Sequence, residues 1–179
     1  MVTPQDVPRV LNDAARLVGA GEIVVFGSAS LALWLERAPI SKDVDLWIHP
    51  EDKGEIVEAL MGELSWYHDK HGAYVEVCGP ATFEAPGSWR SRAKVLTMPD
   101  YEGVRIVVPH PHDVLVAKLP RLSPSDRDHV ELILEQLPLE RERLDELADE
   151  SPSRSADASE RERTAFEASF EVVAAMLGQ

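Results

Sequence analysis

Five short stretches of the first two thirds of the chain either are rich in apolar, β-branched residues or alternate between apolar and polar positions. Both patterns predict strands, here over residues 22–26, 43–48, 74–78, 93–97 and 104–108. Apolar residues at intervals of three or four predict helices over residues 4–18, 28–37, 50–64, 114–119, 126–136, 139–150 and 160–177. After the first helix, the order β-α-β-α-β-β-β predicts an α/β (α+β) fold: a small, mixed, mostly antiparallel sheet flanked by helices.

Several details of this pattern are specific enough to check. The helix over residues 50–64 is expected to hold Ile56, Val57, Leu60 and Met61 on one face, and Tyr101-Glu-Gly103 is expected to form a turn. Residues 151–159 have the small, polar composition of a linker. The last helix carries an apolar stripe that could pack on the core, dimerise or meet a partner, and packing is the default. We therefore expect a main domain over residues 1–137 and an acidic helical extension over 138–179.

Composition narrows the class of protein. The 179 residues are 44% hydrophobic and 28% charged, as in ordinary globular proteins. The N-terminus lacks the features of a secretory signal, and no apolar run approaches the roughly 18 residues needed to cross a bilayer. The single cysteine, Cys78, suits the cytoplasm and is expected to be a small buried hydrophobe. We therefore expect a cytoplasmic protein without a membrane segment.

The net charge of −14 argues against stable binding to duplex DNA. A local basic patch could still contact phosphates. The basic residues of the central stretch are the candidates, with ordinary surface charges as the alternative: Arg90, Arg92, Lys94, Lys118, Arg121 and Arg127.

Asp43 and Asp45 lie two residues apart in a predicted strand. Residues i and i+2 of a strand point to the same face, so the two carboxylates project together while Val44 and Leu46 face the core. Neighbouring carboxylates repel unless a cation or a shared proton lies between them. Mg²⁺ prefers such oxygen ligands. Upstream, Gly27-Ser28 begins a helix whose backbone N–H groups suit a phosphate. The pattern predicts a metal–nucleotide site.

This series resembles the nucleotidyltransferase superfamily, which has the DNA polymerase β-like fold. In that superfamily a strand leads to Gly-Ser, a helix follows, the next strand carries Asp-x-Asp, and a later strand supplies a third carboxylate. Gly27-Ser28 and Asp43-Val44-Asp45 match the first elements, and Glu76 is the candidate for the third carboxylate. The resemblance covers roughly residues 20–137.

The downstream sequence resembles one subgroup, small bacterial proteins of uncharacterised function related to abortive-infection nucleotidyltransferase toxins of toxin–antitoxin pairs. The similarity lies in residues 109–119, with their Lys118-Leu119, and in Asp126-Arg-Asp128. Residues 86–92 resemble that subgroup's Pro-x-Gly-Trp-x-x-Arg stretch, although Ser88 separates Gly87 from Trp89 here.

The resemblance implies transfer of a nucleoside monophosphate from a nucleoside triphosphate (NTP) to an acceptor, with Mg²⁺ or Mn²⁺ as cofactor. The implied acceptor is RNA, such as a tRNA end, and the implied partner is an antitoxin protein. Asp43, Asp45 and Glu76 would be the catalytic metal ligands. The implied nucleotide-binding residues are Gly27, Ser28, Lys118 and Arg127.

Each assignment has a structural alternative. Asp43 could cap the start of a strand, Ser28 could cap a helix, and Glu76 could be an exposed strand carboxylate. Lys118 could be a surface lysine, and Arg127 could pair with its neighbours Asp126 and Asp128. The histidine pairs at 68/71 and 110/112 have no further ligand at a zinc-like spacing and are interpreted as surface residues.

Two other functions remain open at this point. A small-molecule nucleotidyltransferase of the antibiotic-modifying type would take a cationic acceptor, which an acidic protein suits better than RNA. A non-catalytic binding module would keep the fold without the chemistry.

Overall fold

The computed structural model describes residues 1–177. Five strands form one sheet: β1 Gly21–Val25, β2 Val44–His49, β3 Val75–Val77, β4 Lys94–Met98 and β5 Tyr101–Val108. The helices of the first half are α1 Val7–Val18, α2 Gly27–Leu31, α3 Glu51–Met61 and α4 Trp66–His71. The later helices are α5 Trp89–Arg92, α6 Pro111–Lys118, α7 Pro124–Gln136, α8 Arg141–Asp149 and α9 Glu160–Met176. Short 3₁₀ turns cover Pro80–Thr82 and Pro152–Arg154.

The strand order in the sheet is β3-β2-β1-β5-β4. β1 pairs with β2 and β5 with β4 in the antiparallel sense, whereas β1–β5 and β2–β3 are parallel. The predicted small mixed sheet flanked by helices is confirmed. Its four pairings divide evenly between the parallel and antiparallel senses.

The two faces of the sheet differ in chemistry. On one face the inward residues of β1, β2 and β5 pack with α1 and α3 to form the main core, which includes Ile23, Leu46, Ile48, Val57 and Ile106. α1 begins at Val7 and ends at Val18, before Gly19 with its φ of +72°. Its buried residues, which face this core, are Val7, Val10, Leu11, Ala14, Ala15 and Val18. Because side chains alternate along a strand, the opposite face receives Asp45 and Trp47 of β2.

The chain forms two units. One comprises residues 1–82 and 93–109 and contains the whole sheet; the other comprises residues 83–92 and the chain from His110 onward and is helical. In the helical unit α6 contacts α7 and α8, and α9 contacts the 3₁₀ turn at Pro152–Arg154. The division into domains at residue 137/138 stays a prediction, and its last two residues lie outside the described chain.

Several element predictions are wrong in detail. The helix predicted over residues 28–37 ends at Leu31 and continues as turns, and on α3 only Val57 and Met61 of the predicted face are buried, while Ile56 and Leu60 are exposed. No helix is predicted for residues 66–71, yet they form α4, which Ser65 caps at its start and which ends at Gly72, where φ is +65°. The predicted turn at Tyr101 is part of β5.

The segment predicted as a polar linker is structured. Ser151 caps the 3₁₀ turn, Ser153 is buried, and Arg154 pairs with both Asp149 and Glu167. The stripe of α9 packs within the fold, since Phe166, Phe170 and Val173 are buried. None of the helices described in residues 1–177 has the length and apolar character that a bilayer crossing requires.

Candidate functional site

The three predicted catalytic carboxylates come together at the β2–β3 edge of the sheet. Asp45 is the register partner of Glu76 in the parallel pair, so both side chains leave neighbouring strands at the same level. Asp43 lies one residue before β2, where the Val44 N–H donates to the Tyr74 carbonyl at 3.0 Å and holds this end of the strand in place. Alternation within β2 and register between β2 and β3 therefore build the cluster.

One carboxylate oxygen from each of Asp43, Asp45 and Glu76 lies within 4.8 Å of the others. The two aspartates are half-buried and the glutamate is exposed. A Mg²⁺–oxygen bond is about 2.1 Å long, so ligands of one ion lie at most about 4.2 Å apart. Small side-chain rotations would bring the three oxygens to that spacing, and hard oxygen donors are those that Mg²⁺ and Mn²⁺ prefer. The donor set fits a divalent cation.

Tyr74 holds one of these carboxylates. Its hydroxyl donates to Asp43 Oδ2 at 3.2 Å, and burial raises the pKa of Tyr74 so that the phenol remains a donor. Sequence analysis did not single out this residue. Its position two residues before Glu76 on the same strand edge was the available signal, since such residues share a face.

Gly27 is required by the geometry of this site. Its φ of +58° lies in the left-handed region, and a Cβ there would overlap Asp45 Oδ2. Any side chain would therefore both strain the backbone and displace Asp45. The Phe26 N–H donates to the Asp45 carbonyl at 2.9 Å, which fixes the entry to this turn against β2.

Ser28 is not the helix cap that was one interpretation of it. α2 begins at Gly27, its N-cap is Phe26, and no side chain caps it. The Ser28 hydroxyl lies 2.9 Å from that of Ser41, and Ser30 Oγ donates to the Gly27 carbonyl at 2.7 Å. A nucleotide contact from Gly27 and Ser28 stays a prediction.

Lys118 and Arg127 have different surroundings in the helical unit. Lys118 Nζ lies 2.7 Å from Asp126 Oδ1, and Arg121 also binds this buried carboxylate. Asp126 therefore pairs with these residues and not with Arg127, which is exposed. Burial opposes ionisation of Asp126, but hydrogen bonds from Arg121, Lys118 and Ser123 outweigh it and lower the pKa of this carboxyl. Nucleotide binding by Lys118 and Arg127 stays a prediction.

Other basic residues of the central stretch also have partners. Arg92 forms a salt bridge of 2.6 Å with the buried Asp113, and the Lys94 ammonium donates to the Leu33 carbonyl. The Arg90 guanidinium lies 4.8 Å from the centre of the Trp89 ring. These contacts engage part of each cation and so reduce, without abolishing, what this stretch offers to phosphates.

Cys78 lies beside the carboxylate cluster. Burial, together with the negative charges of Asp45 and Glu76, raises the pKa of its thiol to about 12. The thiol is therefore protonated at neutral pH, as expected of an unreactive cysteine. Cys78 is half-buried, not fully buried as the sequence predicts.

The histidines interpreted as surface residues are half-buried instead. His68 Nδ1 accepts from the Leu64 N–H at 3.3 Å, and His112 Nε2 lies 3.0 Å from the Leu137 carbonyl. Burial lowers the pKa of both His110 and His112. The sequence spacing of these histidines does not indicate that they are half-buried, because burial of their rings depends on tertiary packing.

The comparisons with known proteins agree with this geometry at the level of the family. No curated protein and no solved structure matches the chain. One family model matches residues 5–176, nearly the whole chain, and its members are described as nucleotidyltransferases of unknown function (DUF6036). The relation to toxins that the sequence resemblance suggested has no counterpart in this match. With its Gly-Ser turn and its three carboxylates at one sheet edge, the chain belongs to this nucleotidyltransferase family.

Proposed function

We propose that the protein is a Mg²⁺- or Mn²⁺-dependent enzyme that transfers a nucleoside monophosphate from an NTP to a hydroxyl acceptor. One observation carries the proposal: Asp43, Asp45 and Glu76 place carboxylate oxygens within 4.8 Å of one another. Three like charges at this spacing repel, and a divalent cation offsets that cost.

Asp43 and Asp45 would hold the cation against the triphosphate, with Tyr74 fixing the orientation of Asp43. Such a cation, when bound, neutralises charge on the triphosphate and on the attacking and leaving oxygens. The acceptor oxygen forms a bond to the α-phosphorus while the bond to the β-phosphate oxygen breaks, and pyrophosphate leaves. Glu76, the exposed member of the cluster, would be both a metal ligand and a group able to take the proton of the attacking hydroxyl.

Gly27 and Ser28 support the triphosphate in this proposal. The lack of a side chain at Gly27 leaves room for the Asp45 carboxylate, and the Ser28 hydroxyl lies in the first turn of α2. The positive charges of Lys118 and Arg127 are further candidates for phosphate contacts. Lys118 would have to share its ammonium with Asp126, which makes Arg127 the more accessible of the two.

The decisive experiment incubates the purified protein with each labelled NTP, Mg²⁺ and total bacterial RNA, beside the double variant Asp43→Asn/Asp45→Asn. Label transferred to RNA by the native protein alone would support the enzyme and identify its nucleotide. Nucleotide binding without transfer would direct attention to another acceptor. If the native protein neither binds the nucleotide nor transfers the label, the result would favour a non-catalytic binding module.

We propose that the preferred acceptor is RNA, as the resemblance to the toxin subgroup suggests. The reaction would take place in the cytoplasm, and an antitoxin protein would control it. Expression in a bacterium tests this directly. Growth arrest by the native chain, and none by Asp45→Asn at equal protein level, is the expected result. Normal growth with the native chain would contradict the toxin role without touching the transfer chemistry.

A second acceptor class is favoured by the net charge of −14. An acidic protein attracts cations and repels a polyanion, and the pairing of Arg92 and Lys118 with carboxylates reduces the surface available to RNA. A small cationic molecule with a free hydroxyl, of the aminoglycoside type, is therefore the alternative. Competition between RNA and such a molecule in the same transfer assay distinguishes the two.

A further inference from the structure

The helical unit contains an open cleft of about 450 Å³ that the proposed transfer chemistry does not use. Its lining residues are Arg92, His110, His112, Arg143 and Leu147. The volume lies within the range of small-molecule sites, which is roughly 300–1,000 Å³. The polar part of this lining consists of two guanidiniums and two imidazoles.

The partners of the two imidazoles define which ring nitrogens carry protons. His110 Nδ1 accepts from the His112 backbone N–H at 3.2 Å, so a neutral His110 carries its proton on Nε2. His112 Nε2 lies 3.0 Å from the Leu137 carbonyl, which can only accept, so this nitrogen also carries a proton. Both rings, when neutral, therefore carry their proton on Nε2.

Arg92 is fixed before any ligand arrives. Its Nε contacts both carboxylate oxygens of the fully buried Asp113 at 3.1 Å, and its Nη2 lies 2.6 Å from Asp113 Oδ1. Arg92 Nη2 also lies 3.6 Å from Glu150, and Arg143 pairs with Glu146. Asp113, Glu146 and Glu150 hold the two arginines, but none of them is among the residues that line the cleft.

The electrostatics of the cleft follow from this arrangement. Burial lowers the pKa of His110 to about 4, and the charges of His112, Arg92 and Arg143 act in the same direction. His110 is consequently neutral at pH 7, and both guanidiniums favour its neutral form. A bound anion would oppose that effect and raise the pKa of His110.

We propose that this cleft, which His110 also lines, is a binding site for an oxyanion, a phosphate or carboxylate group of a small molecule, contacted by Arg143 and Arg92. Guanidiniums bind such groups through charge-assisted, often bidentate hydrogen bonds. Arg143 is the adaptable contact, because its side chain is 44% exposed and its present partner Glu146 is 55% exposed. Arg92 is the fixed contact. The site is independent of the carboxylate cluster and needs no divalent cation.

The test uses the full chain after a chelating resin has removed divalent cations, and with them any binding that depends on the carboxylate cluster. Sodium phosphate and sodium acetate are titrated separately at constant ionic strength, and the histidine ring resonances are followed by NMR. Binding should shift the resonances of His110 and His112, leave those of His68 and His71 in place, and raise the pKa of His110. A response to phosphate alone identifies a phosphate site, and a response to acetate alone identifies a carboxylate site.

Two variants locate the contact. Arg143→Gln should weaken the binding of the responding anion by about tenfold or more, since a charge-assisted hydrogen bond is lost. The control Arg161→Gln removes an exposed arginine from α9 and should change affinity by less than about twofold. Unchanged His110 resonances with both anions would overturn the proposal. Equal weakening by the two variants would overturn it as well, because it would indicate attraction to overall charge.

Discussion

Two groups of charged residues in this protein differ in whether opposite charges surround them. At the β2–β3 edge, Asp43, Asp45 and Glu76 place three charges of one sign within 4.8 Å. In the helical unit, the buried Asp126 is surrounded by donors: Lys118 at 2.7 Å, Arg121 at 3.0 Å and the hydroxyl of Ser123 at 2.7 Å. The first arrangement costs stability and the second contributes to it.

The difference separates function from structure. Unit charges about 5 Å apart interact by roughly 1–3 kcal/mol near a protein surface, and for like charges that energy opposes folding. Under the proposed function, a divalent cation bound by Asp43, Asp45 and Glu76 offsets this repulsion. A carboxylate that is already satisfied by two cations and a capping box has a local role, here to join the end of α6 to the start of α7.

Removal of the like charges at the β2–β3 edge should have the greatest consequence. The double variant Asp43→Asn/Asp45→Asn should lower the rate of nucleotidyl transfer by about 10³-fold or more, because the site would no longer hold the cation that stabilises the transition state. The rate is measured with the labelled NTP and acceptor that the native protein uses. Folding of the variant is checked by circular dichroism, and a residual rate within tenfold of native would contradict the assignment.

Removing the paired charge should act on stability instead. Asp126→Asn leaves Lys118 without its anionic partner, and we expect the free energy of unfolding to fall by about 3 kcal/mol. Urea denaturation measures this. Asp128→Asn, an exposed neighbour in α7, is the control and should stay within about 0.5 kcal/mol of native. Equal effects of the two substitutions would show that the network around Asp126 is not special.

The same carboxyl predicts a pH dependence. The pKa of Asp126 is lowered in the folded state, so its stabilisation is fully present above its unfolded-state value of about 4 and is lost as the pH falls below that value towards the folded-state pKa. The native protein should therefore lose more stability between pH 5 and 3, roughly, than Asp126→Asn does. Parallel stability curves for the two proteins would contradict this.

Gly27→Ala tests the link between the turn and the acidic cluster. Both Gly19 and Gly27 have positive φ, but a Cβ at Gly19 meets nothing within 4 Å, whereas one at Gly27 overlaps Asp45 Oδ2. The control Gly19→Ala should lower the free energy of unfolding by about 1 kcal/mol through backbone strain. Gly27→Ala should lower it further and should also impair transfer. The paired measurements are urea denaturation and the transfer rate. A native transfer rate in Gly27→Ala would show that the turn does not position Asp45.

Tyr74→Phe should have the smallest effect. The substitution removes the hydrogen bond to Asp43 Oδ2 but leaves all three carboxylates in place. We expect transfer to fall by about three- to tenfold, with a weaker apparent affinity for Mg²⁺, since a single hydrogen bond that orients a ligand is lost. Varying the Mg²⁺ concentration in the transfer assay measures both. A loss as large as that of the aspartate variants would make Tyr74 more than a positioning residue.

Local pattern predicted part of this site. Alternation within β2 was sufficient to place Asp43 and Asp45 together and Val44 in the core. Glu76 reached the cluster through the register of β2 with β3, a non-local pairing that only the family resemblance suggested beforehand. The pairing of Lys118 with Asp126 was missed because it depends on how the turn between α6 and α7 brings the two helices together.

Elsewhere, tertiary contacts overrode local preference. Gly103 suggested a turn, yet it lies within β5, where a Cβ would come within 3.1 Å of the Gly19 carbonyl oxygen. Glycine is therefore suited to that position by close packing rather than by chain reversal. Ala and Leu favour a long α2, but the helix ends at Leu31. The residues that follow form turns instead, and Leu35 is buried there.

Thermal unfolding with and without Mg²⁺ shows whether Asp43, Asp45 and Glu76 form a metal site. The measurement compares the native protein, Glu76→Gln and the control Glu102→Gln, which changes an exposed glutamate of β5. Without the cation, Glu76→Gln should unfold at a higher temperature than native, because one repelling charge is gone. With millimolar Mg²⁺, native and Glu102→Gln should gain stability and Glu76→Gln should gain much less. A native protein that does not respond to Mg²⁺, or a Glu76→Gln variant that responds equally, would contradict a metal site built from these carboxylates.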